Sequence, residues 1–101
     1  MDRKKLEQKL TRFGFLPAHA KLYLAGLALG PALMAHLALK ANVKRSTCYY
    51  ILPELLRRGF FSIKKIGKRN YYTASPPEKL LQITRQRERL IQNLMPGLKS
   101  V

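Results

Sequence analysis

Residues 44–69 read KRSTCYYILPELLRRGFFSIKKIGKR, and this stretch decides the fold of the chain. Its eight basic side chains accompany a single acid, Glu54. The spacing predicts a helix over residues 44–58 that stops at Gly59, followed by a short hairpin that turns at Gly67. A helix and a hairpin sharing one positive face suit a nucleic-acid duplex, because the helix can enter a groove while the hairpin lies along the phosphates.

The composition of the whole chain supports a basic binding protein of one domain with a helical appendage. It has 101 residues, a formal net charge of +15 and 47% hydrophobic residues, which is enough to close a small core. Such a charge implies a polyanionic partner, and nucleic acid, anionic membrane and acidic protein all fit on charge alone. Residues 13–43 hold only Lys21 and Lys40 and no acid, so this block is the predicted core.

Several features predict a cytoplasmic, nucleoid-associated protein without a membrane anchor. Cys48 is the single cysteine, so no intrachain disulfide can form, which favours a reducing compartment. The N-terminus lacks the apolar segment of a signal peptide. Glycines, a proline and a histidine interrupt the longest apolar run, residues 22–39, so it predicts two buried helices and a turn, not a membrane span.

The periodicity along the chain predicts a mainly α fold with a small β-hairpin (α+β). We expect a winged helix-turn-helix in residues 1–75, followed by a C-terminal helix in residues 76–101 as a possible dimerisation segment. The predicted helices span residues 2–12, 17–29, 32–41, 44–58 and 78–95, and the predicted strands span residues 60–66 and 70–74. Pro96-Gly97 is expected to end the last helix.

The helix predicted for residues 44–58 has two distinct faces. At about 100° per residue, Cys48, Leu52 and Leu55 form an apolar stripe, and the opposite arc is polar. Pro53 lies inside this helix and removes a backbone hydrogen bond, so a kink is expected. Packing against the preceding helix would hold the polar arc clear of the core.

The order of these segments resembles the TrmB-like transcriptional regulators. The matching pieces are GF at 14–15, AKLYLA at 20–25, LGPA at 29–32, RST at 45–47, YY at 49–50, Leu55, RGF at 58–60, YYTA at 71–74 and PPEKLL at 76–81. The resemblance spans most of the chain. It implies a winged helix-turn-helix that binds double-stranded DNA, with the 44–58 helix in the major groove and the wing, about residues 60–74, on the phosphate backbone.

The chain departs from the family pattern in two informative ways. Members usually place a small polar cap before the helix that begins here at Pro17, whereas this chain has Leu16. Longer members also carry a C-terminal effector domain that binds sugars, and this chain stops where the linker to it would run. The resemblance therefore implies no small-molecule effector, and the chain is either a minimal regulator or a fragment.

The predicted DNA-binding residues come from the 44–58 helix and the wing: Lys44, Arg45, Ser46, Thr47, Tyr49, Tyr50, Arg57, Lys64, Lys65, Lys68, Arg69 and Asn70. The wing cations are most simply phosphate ligands that supply affinity and salt dependence. Residues 45–50 are the candidates for reading base edges, since arginine is the commonest specific reader of guanine. An alternative makes Tyr49 or Tyr50 a core or wing-packing aromatic, and of Tyr71 and Tyr72 one is expected in the core.

Catalysis and metal binding are not expected. His19 and His36 lie on separate helices without cysteine or acidic ligands at metal spacing, so surface or partly packed histidines are predicted. Cys48 is expected to pack as a small apolar residue, because a redox switch needs an exposed thiol of low pKa. No acid–base pair or nucleophile constellation is present, so the chain is predicted not to be an enzyme and to need no cofactor.

The last helix carries a short apolar seam that predicts a homodimer. Its members at 3/4 spacing are Leu80, Ile83, Leu90 and Leu94, with Arg87 interrupting them. The alternative is that this helix folds back on its own domain. Leu39 falls at a position expected to be polar and exposed, which would mark either a partner surface or a slightly rotated helix.

The sequence therefore favours a small, sequence-specific DNA-binding transcriptional regulator. The leading alternative is an RNA- or ribosome-associated basic winged helix, because the charge does not separate duplex DNA from structured RNA. A second alternative is a protein-interaction winged helix that uses the apolar helix 32–41.

Overall fold

The computed structural model describes residues 2–101 as five helices and one antiparallel two-stranded hairpin. The elements in chain order are α1 (Arg3–Phe13), α2 (Pro17–Leu29), α3 (Met34–Ala41), α4 (Arg45–Arg57), β1 (Phe61–Ile66), β2 (Arg69–Ala74) and α5 (Glu78–Lys99). Helices α2, α3 and α4 pack together, and the hairpin lies against α2 and α3 as a wing. The predicted fold class, a winged helix-turn-helix followed by a C-terminal helix, is confirmed.

An aromatic cluster forms the centre of the core. The ring of Phe15 lies 4.7 Å from that of Phe60 and 5.5 Å from that of Tyr23, measured between centroids. The Tyr23 hydroxyl donates a hydrogen bond of 2.8 Å to the carbonyl of Ser75. Burial, with the charge of Glu78, raises the pKa of Tyr23 to about 12, so the phenol stays protonated and can donate. The cluster thus joins the start of α2 to both ends of the wing.

A glycine in the left-handed backbone conformation forms the junction between α4 and β1. Gly59 has φ 82°, its amide donates to the Leu56 carbonyl, and the Phe60 amide donates to the Leu55 carbonyl at 2.9 Å. This pairing closes the last turn of α4 and directs Phe60 into the core. The predicted end of the 44–58 helix at Gly59 is confirmed within one residue.

Gly26 allows α2 to approach the hairpin closely. A Cβ atom at this position would lie 2.8 Å from both the Ala74 Cβ and the Phe61 Cζ. Such contacts are well inside van der Waals distance, and all three residues are buried. The wing therefore sits against α2 at a separation that only glycine permits.

We predict that Gly26→Ala lowers the free energy of unfolding by about 1–3 kcal/mol, because the extra methyl group overpacks the contact between α2 and the wing. Gly97→Ala is the matched control, since Gly97 lies in α5 with nothing within 4 Å of its would-be Cβ. The control should be neutral or up to about 1 kcal/mol stabilising. Urea unfolding of the two variants tests this, and equal effects at both positions would contradict the packing argument.

Helix α3 begins at Met34, so the predicted start at Ala32 is wrong. Ala32 instead forms an isolated bridge with Tyr72, with amide-to-carbonyl distances of 3.0 and 2.8 Å in the two directions. Because both backbone groups of Ala32 are used by β2, the helix can start only after it. Tyr72 is buried on this face and Tyr71 is only half-buried, which confirms that one of this tyrosine pair is core.

The predicted end of the last helix at Pro96-Gly97 is also wrong, because α5 continues to Lys99. Proline has a helical φ, and its cost inside a helix is mainly one lost hydrogen bond and a local clash. Water can satisfy the freed carbonyl here, since residues 84–101 are exposed. Pro53 lies inside α4 in the same way, on an exposed position.

His19 is buried, which corrects the prediction of a surface or partly packed histidine. Only 6% of the residue is exposed, and its Nδ1 has no hydrogen-bond partner among residues 2–101. Burial, followed by the positive charge of Arg58, lowers the pKa of His19 below its ordinary value, against a smaller opposing effect of Glu54. His36 is exposed.

We expect the free energy of unfolding to fall as the pH drops below about 7, because the unfolded chain then takes up a proton at His19 that the folded chain resists. The loss should continue until the pH passes below the lowered folded-state pKa. Chemical unfolding at several pH values measures the slope. His19→Gln should remove this part of it, whereas His36→Gln should not; an equal slope in both variants would rule out His19 as the source.

Candidate nucleic-acid interface

The N-terminus of α4 presents unbonded amides beside basic side chains. Lys44 is the N-cap residue, no side chain caps the helix, and the first turn contains no acid. The Cys48 amide is the first to be bonded, to the Lys44 carbonyl at 3.0 Å. The amides of residues 45–47 therefore have no partner within the helix and lie at its positive end, an arrangement that favours phosphate.

The inner face of α4 holds the helix against the core. Cys48, Leu52 and Leu55 are buried as the predicted stripe requires, and Ile51 joins them. Cys48 is fully buried, its Sγ lies 3.8 Å from the Val43 carbonyl, and burial raises the pKa of the thiol. The prediction that Cys48 packs as an apolar residue is confirmed, and the opposite arc of α4 is left in solvent.

Both tyrosines of α4 are on the surface, so neither is a core aromatic. Tyr49 is 47% exposed and Tyr50 is 85% exposed. The Arg45 guanidinium lies 5.7 Å from the Tyr49 ring centroid and donates a hydrogen bond of 3.5 Å to its hydroxyl. The Arg45 side chain thus extends along α4 towards Tyr49, and the two residues lie on the same exposed flank of this helix.

The start of α4 and the tip of the wing line one groove. This wing groove, of about 430 Å³, is bordered by Leu33, Met34, Ala35, Arg45, Tyr49, Lys68, Arg69, Asn70 and Tyr72. It thus combines the beginning of α3, the Arg45–Tyr49 flank of α4 and the turn of the hairpin. Five of the twelve residues predicted to bind DNA meet here.

The wing is a cationic hairpin without internal compensation. Residues 60–75 contain no acid, and Lys64, Lys65, Lys68 and Arg69 are exposed. Among residues 2–101 the salt bridges are Arg3–Glu7 and Arg57–Glu54, so none involves the wing. In the hairpin register Lys65 pairs with Asn70 and Lys64 with Tyr71, which places the two lysines on opposite faces. The positive charge therefore surrounds the turn on both sides.

Other predicted residues lie apart from the wing groove. Ser46 is exposed and Thr47 half-buried at the first turn of α4. Tyr50 and Arg57 line a different groove on the other flank of α4. Arg57 also forms an ion pair with Glu54. The structure therefore places five of the predicted residues in the wing groove and two on the far flank of α4. The other five line neither of these two grooves: Lys44, Ser46, Thr47, Lys64 and Lys65.

Arg58 has a structural role that could not be recognised from the number of basic residues in this segment. Its guanidinium lies 4.8 Å from the Phe60 ring centroid and 5.7 Å from that of Phe15, and it contacts the Gly14 carbonyl at 3.4 Å. A half-buried cation stacked on two core rings is held in place and is not free to reach a ligand as a wing lysine is. The adjacent aromatic residues and the helix-ending glycine were the available signal in the sequence.

The apolar residues predicted to form a seam along α5 fall into two groups with different surroundings. Leu80 and Ile83 are partly buried and pack against the chain's own core. The Arg87 guanidinium lies 5.9 Å from the Phe13 ring centroid, which explains why arginine interrupts the apolar spacing. Leu90 and Leu94 are exposed, and beyond Arg87 the helix has no partner among the described residues.

Metal coordination and membrane insertion find no support in the part of the chain that the structure describes. No group of three or more His, Cys, Asp or Glu side chains in residues 2–101 is arranged to hold a metal ion. No helix in the same range is both long and apolar enough to cross a membrane.

The fold and its basic groove define a winged-helix protein of the transcription-factor type. The chain belongs to the TrmB family, since the model of the family described as sugar-specific transcriptional regulator TrmB matches residues 10–78. The resemblance to that family seen in the sequence is confirmed. No curated protein matches the sequence significantly.

Solved structures include several of similar fold. TrmBL2, an archaeal chromatin protein whose structure shows a novel mode of DNA binding, is 26% identical with a TM-score of 0.79. The match covers 98% of this chain but 38% of that one, so this chain spans well under half the length of TrmBL2. A MarR-family regulator from Silicibacter pomeroyi has 18% identity and a TM-score of 0.63, covering 97% of this chain and 72% of its own.

A third similar structure is MepR, a transcription regulator of the Staphylococcus aureus multidrug efflux pump MepA. It is 19% identical with a TM-score of 0.56, and the match covers 94% of this chain and 74% of MepR. At these identities the likenesses to the Silicibacter pomeroyi regulator and to MepR establish the winged-helix fold and nothing about ligands.

Proposed function

We propose that this chain binds double-stranded DNA sequence-specifically as a small, non-enzymatic transcriptional regulator, with α4 in the major groove and the wing on the phosphate backbone. The observation that carries the proposal is the wing groove, where the Arg45–Tyr49 flank of α4 and the cationic turn of the hairpin face a common space. A duplex seated there would meet base-reading and phosphate-binding groups at once.

The two elements would divide the work of recognition. The free amides of residues 45–47 and the Lys44 side chain suit a phosphate at the edge of the groove. Lys65, Lys68 and Arg69 on the wing suit the neighbouring backbone. Arg45 is the base-edge candidate, and its stacking on Tyr49 would hold the guanidinium extended until a guanine edge replaces the tyrosine hydroxyl as its partner.

Family membership supports the same function. TrmB-family proteins are described as transcriptional regulators, and TrmBL2, which shares the fold over nearly all of this chain, binds DNA. The net charge of +15 also fits a polyanionic duplex.

We predict that Lys68→Ala/Arg69→Ala weakens binding to all duplex sequences alike. Each lost phosphate contact reduces the slope of log K against log salt by about one unit, so the double variant should lose about two units at most. Titration of a duplex pool at several salt concentrations measures the slope.

The charge-matched control is Arg85→Ala/Arg89→Ala. These exposed arginines lie on α5, which leaves the hairpin at its base and not at its turn. The control should retain the slope of log K against log salt. A separate variant, Arg45→Ala, should relax base preference at one position per half-site. A wing variant with undiminished salt dependence would refute the wing assignment. Matched RNA duplexes that compete as well as DNA would refute DNA specificity.

We also propose that the chain acts as a homodimer through the free end of α5. Its exposed apolar side chains are Leu90, Ile91, Leu94, Met95 and Leu98. At about 100° per residue these fall on one side of the helix, which continues the side that carries Leu80 and Ile83 onto the core. An apolar helical stripe without an intramolecular partner suits a twin helix, and a dimer suits two-fold half-sites.

We predict that Leu90→Asp/Leu94→Asp yields a folded monomer by analytical ultracentrifugation. The added acids lower the net positive charge, so the loss of association would come from the apolar stripe and not from repulsion. The control, Gln86→Asp/Asn93→Asp, adds the same charge to the polar side of α5 and should remain dimeric. An unchanged mass of the leucine variant would exclude this interface.

A further inference from the structure

The outermost side chains of α4 form a row between its two flanks. At about 100° per residue, the positions opposite the buried side of this helix fall within about 60° of one another. We call them the outer row: Ser46, Tyr50, Pro53 and Arg57, all of which are exposed. None of them lines the wing groove, so the outer row is distinct from the Arg45–Tyr49 flank.

Tyr50 is the most exposed aromatic residue of α4. It is 85% exposed, against 47% for Tyr49. The Arg45 guanidinium lies 5.7 Å from the Tyr49 ring centroid, whereas the Tyr50 ring belongs to none of the aromatic or cation–ring pairs within residues 2–101. Both faces of the Tyr50 ring are therefore available to a partner, and truncating this side chain leaves the core unchanged.

Pro53 adds a rigid apolar surface beside the Tyr50 ring. The two residues are three positions apart, which makes their side chains neighbours on the helix surface. Proline inside a helix removes a backbone hydrogen bond, and Pro53 is exposed, so no packing in the core offsets that loss. A residue that opposes its own helix is expected mainly at functional sites. Contact between the proline ring and a partner would account for its presence here.

The polar members of the outer row lie at its two ends. Ser46 is in the first turn of α4, and Arg57 is the last residue of this helix, where it pairs with Glu54. The middle of the row is uncharged, because Tyr50 supplies a ring face and Pro53 supplies methylene groups. With α4 in a major groove, these two side chains would face base edges.

An apolar surface distinguishes thymine from the other bases in the major groove. Thymine alone presents a methyl group there, at C5, and apolar side chains make contact with it. The amino groups of adenine and cytosine and the acceptors of guanine would lose water against such a surface without gaining a hydrogen-bond partner. The middle of the outer row therefore fits a thymine better than any other base.

We propose that Tyr50 and Pro53 recognise a thymine by its C5-methyl group, which packs against the tyrosine and proline rings. The proposal rests on the proposed DNA-binding function and specifies one base that α4 reads. 5-Methylcytosine carries a methyl group at the same ring position, so it would make the same contact. DNA binding would then also respond to cytosine methylation.

Deoxyuridine is the probe, because it pairs as thymidine does and lacks only the methyl group. The test uses the duplex that the full chain enriches most from a random pool, resynthesised with deoxyuridine at each thymidine in turn. At one position per half-site, we expect binding to weaken about fourfold, which corresponds to one buried methyl group. The ratio of the two affinities should be the same at low and high salt, because the contact is apolar.

Variants of the two residues locate the contact. Tyr50→Ala should bind the thymidine and deoxyuridine duplexes equally, and Pro53→Ala should reduce the ratio to about twofold. Tyr50→Phe keeps the ring and should retain a ratio of about fourfold. Leu81→Ala is the matched control, because Leu81 is 58% exposed and lies on α5, and it should retain the same ratio.

Methylated cytosine provides an independent measurement on the same duplex. Replacing the methyl-dependent T·A pair by C·G should weaken binding of the wild type. 5-Methylcytosine in place of that cytosine should then recover about fourfold in affinity, and Tyr50→Ala should show no such recovery. Equal binding of the cytosine and 5-methylcytosine duplexes by the wild type would contradict the proposal.

The other outcomes separate this proposal from the proposed function. If a duplex is enriched and bound but tolerates deoxyuridine at every position, the thymine contact is refuted and DNA binding stands. An undiminished ratio in Tyr50→Ala, or a lost ratio in Tyr50→Phe, would also refute it. If duplexes bind but none is enriched, base reading fails as a whole. If no duplex binds, the proposed function fails and the thymine contact fails with it.

Discussion

The orientation of α4 relative to the wing depends on the packing around Phe60. This residue follows Gly59 directly, and its ring centroid lies 4.7 Å from that of Phe15 and 4.8 Å from the Arg58 guanidinium. Because α4 ends and β1 begins within four residues, fixing Phe60 fixes the angle between the helix and the strand. The wing groove exists only while that angle is kept.

The second constraint is the close contact at Gly26, which sets the distance between the wing and the helices. The hydrogen bond from Tyr23 to the Ser75 carbonyl and the bridge between Ala32 and Tyr72 both hold the hairpin along β2. The contacts that position the wing are therefore neutral and buried, and the exposed cations are left available. The excess positive charge destabilises the folded state through self-repulsion, and binding of a polyanion would reduce that repulsion.

The two flanks of α4 carry different chemistry because of what packs beside them. On one flank, the hairpin turn adds cations that no described acid compensates. On the other, the uncapped start of α2 and a buried, unpartnered imidazole stand beside Glu54 and Arg57. The two flanks of α4 therefore differ in their charge and in the elements that border them.

Several features could be predicted because they depend on local physics. The stripe of Cys48, Leu52 and Leu55, the stop at Gly59 and the hairpin turn each follow from periodicity or from a residue that permits positive φ. The errors fell where a distant contact or its absence decided the outcome. Ala32 pairs with Tyr72, 40 positions further along the chain, and so does not join α3. Helix α5 continues past Pro96 because no other element packs there to end it.

The sequence by itself determined the order of elements, the concentration of positive charge in residues 44–69 and the family, because propensity, composition and motif order are local properties. Only the tertiary structure decided which of those charges meet. It brought Arg45 beside Lys68 and Arg69, moved Arg57 to the other flank and placed Arg58 on the core rings. The reason is geometric: a side chain's neighbours across space depend on the angles between packed elements, and no spacing along the chain encodes those angles directly.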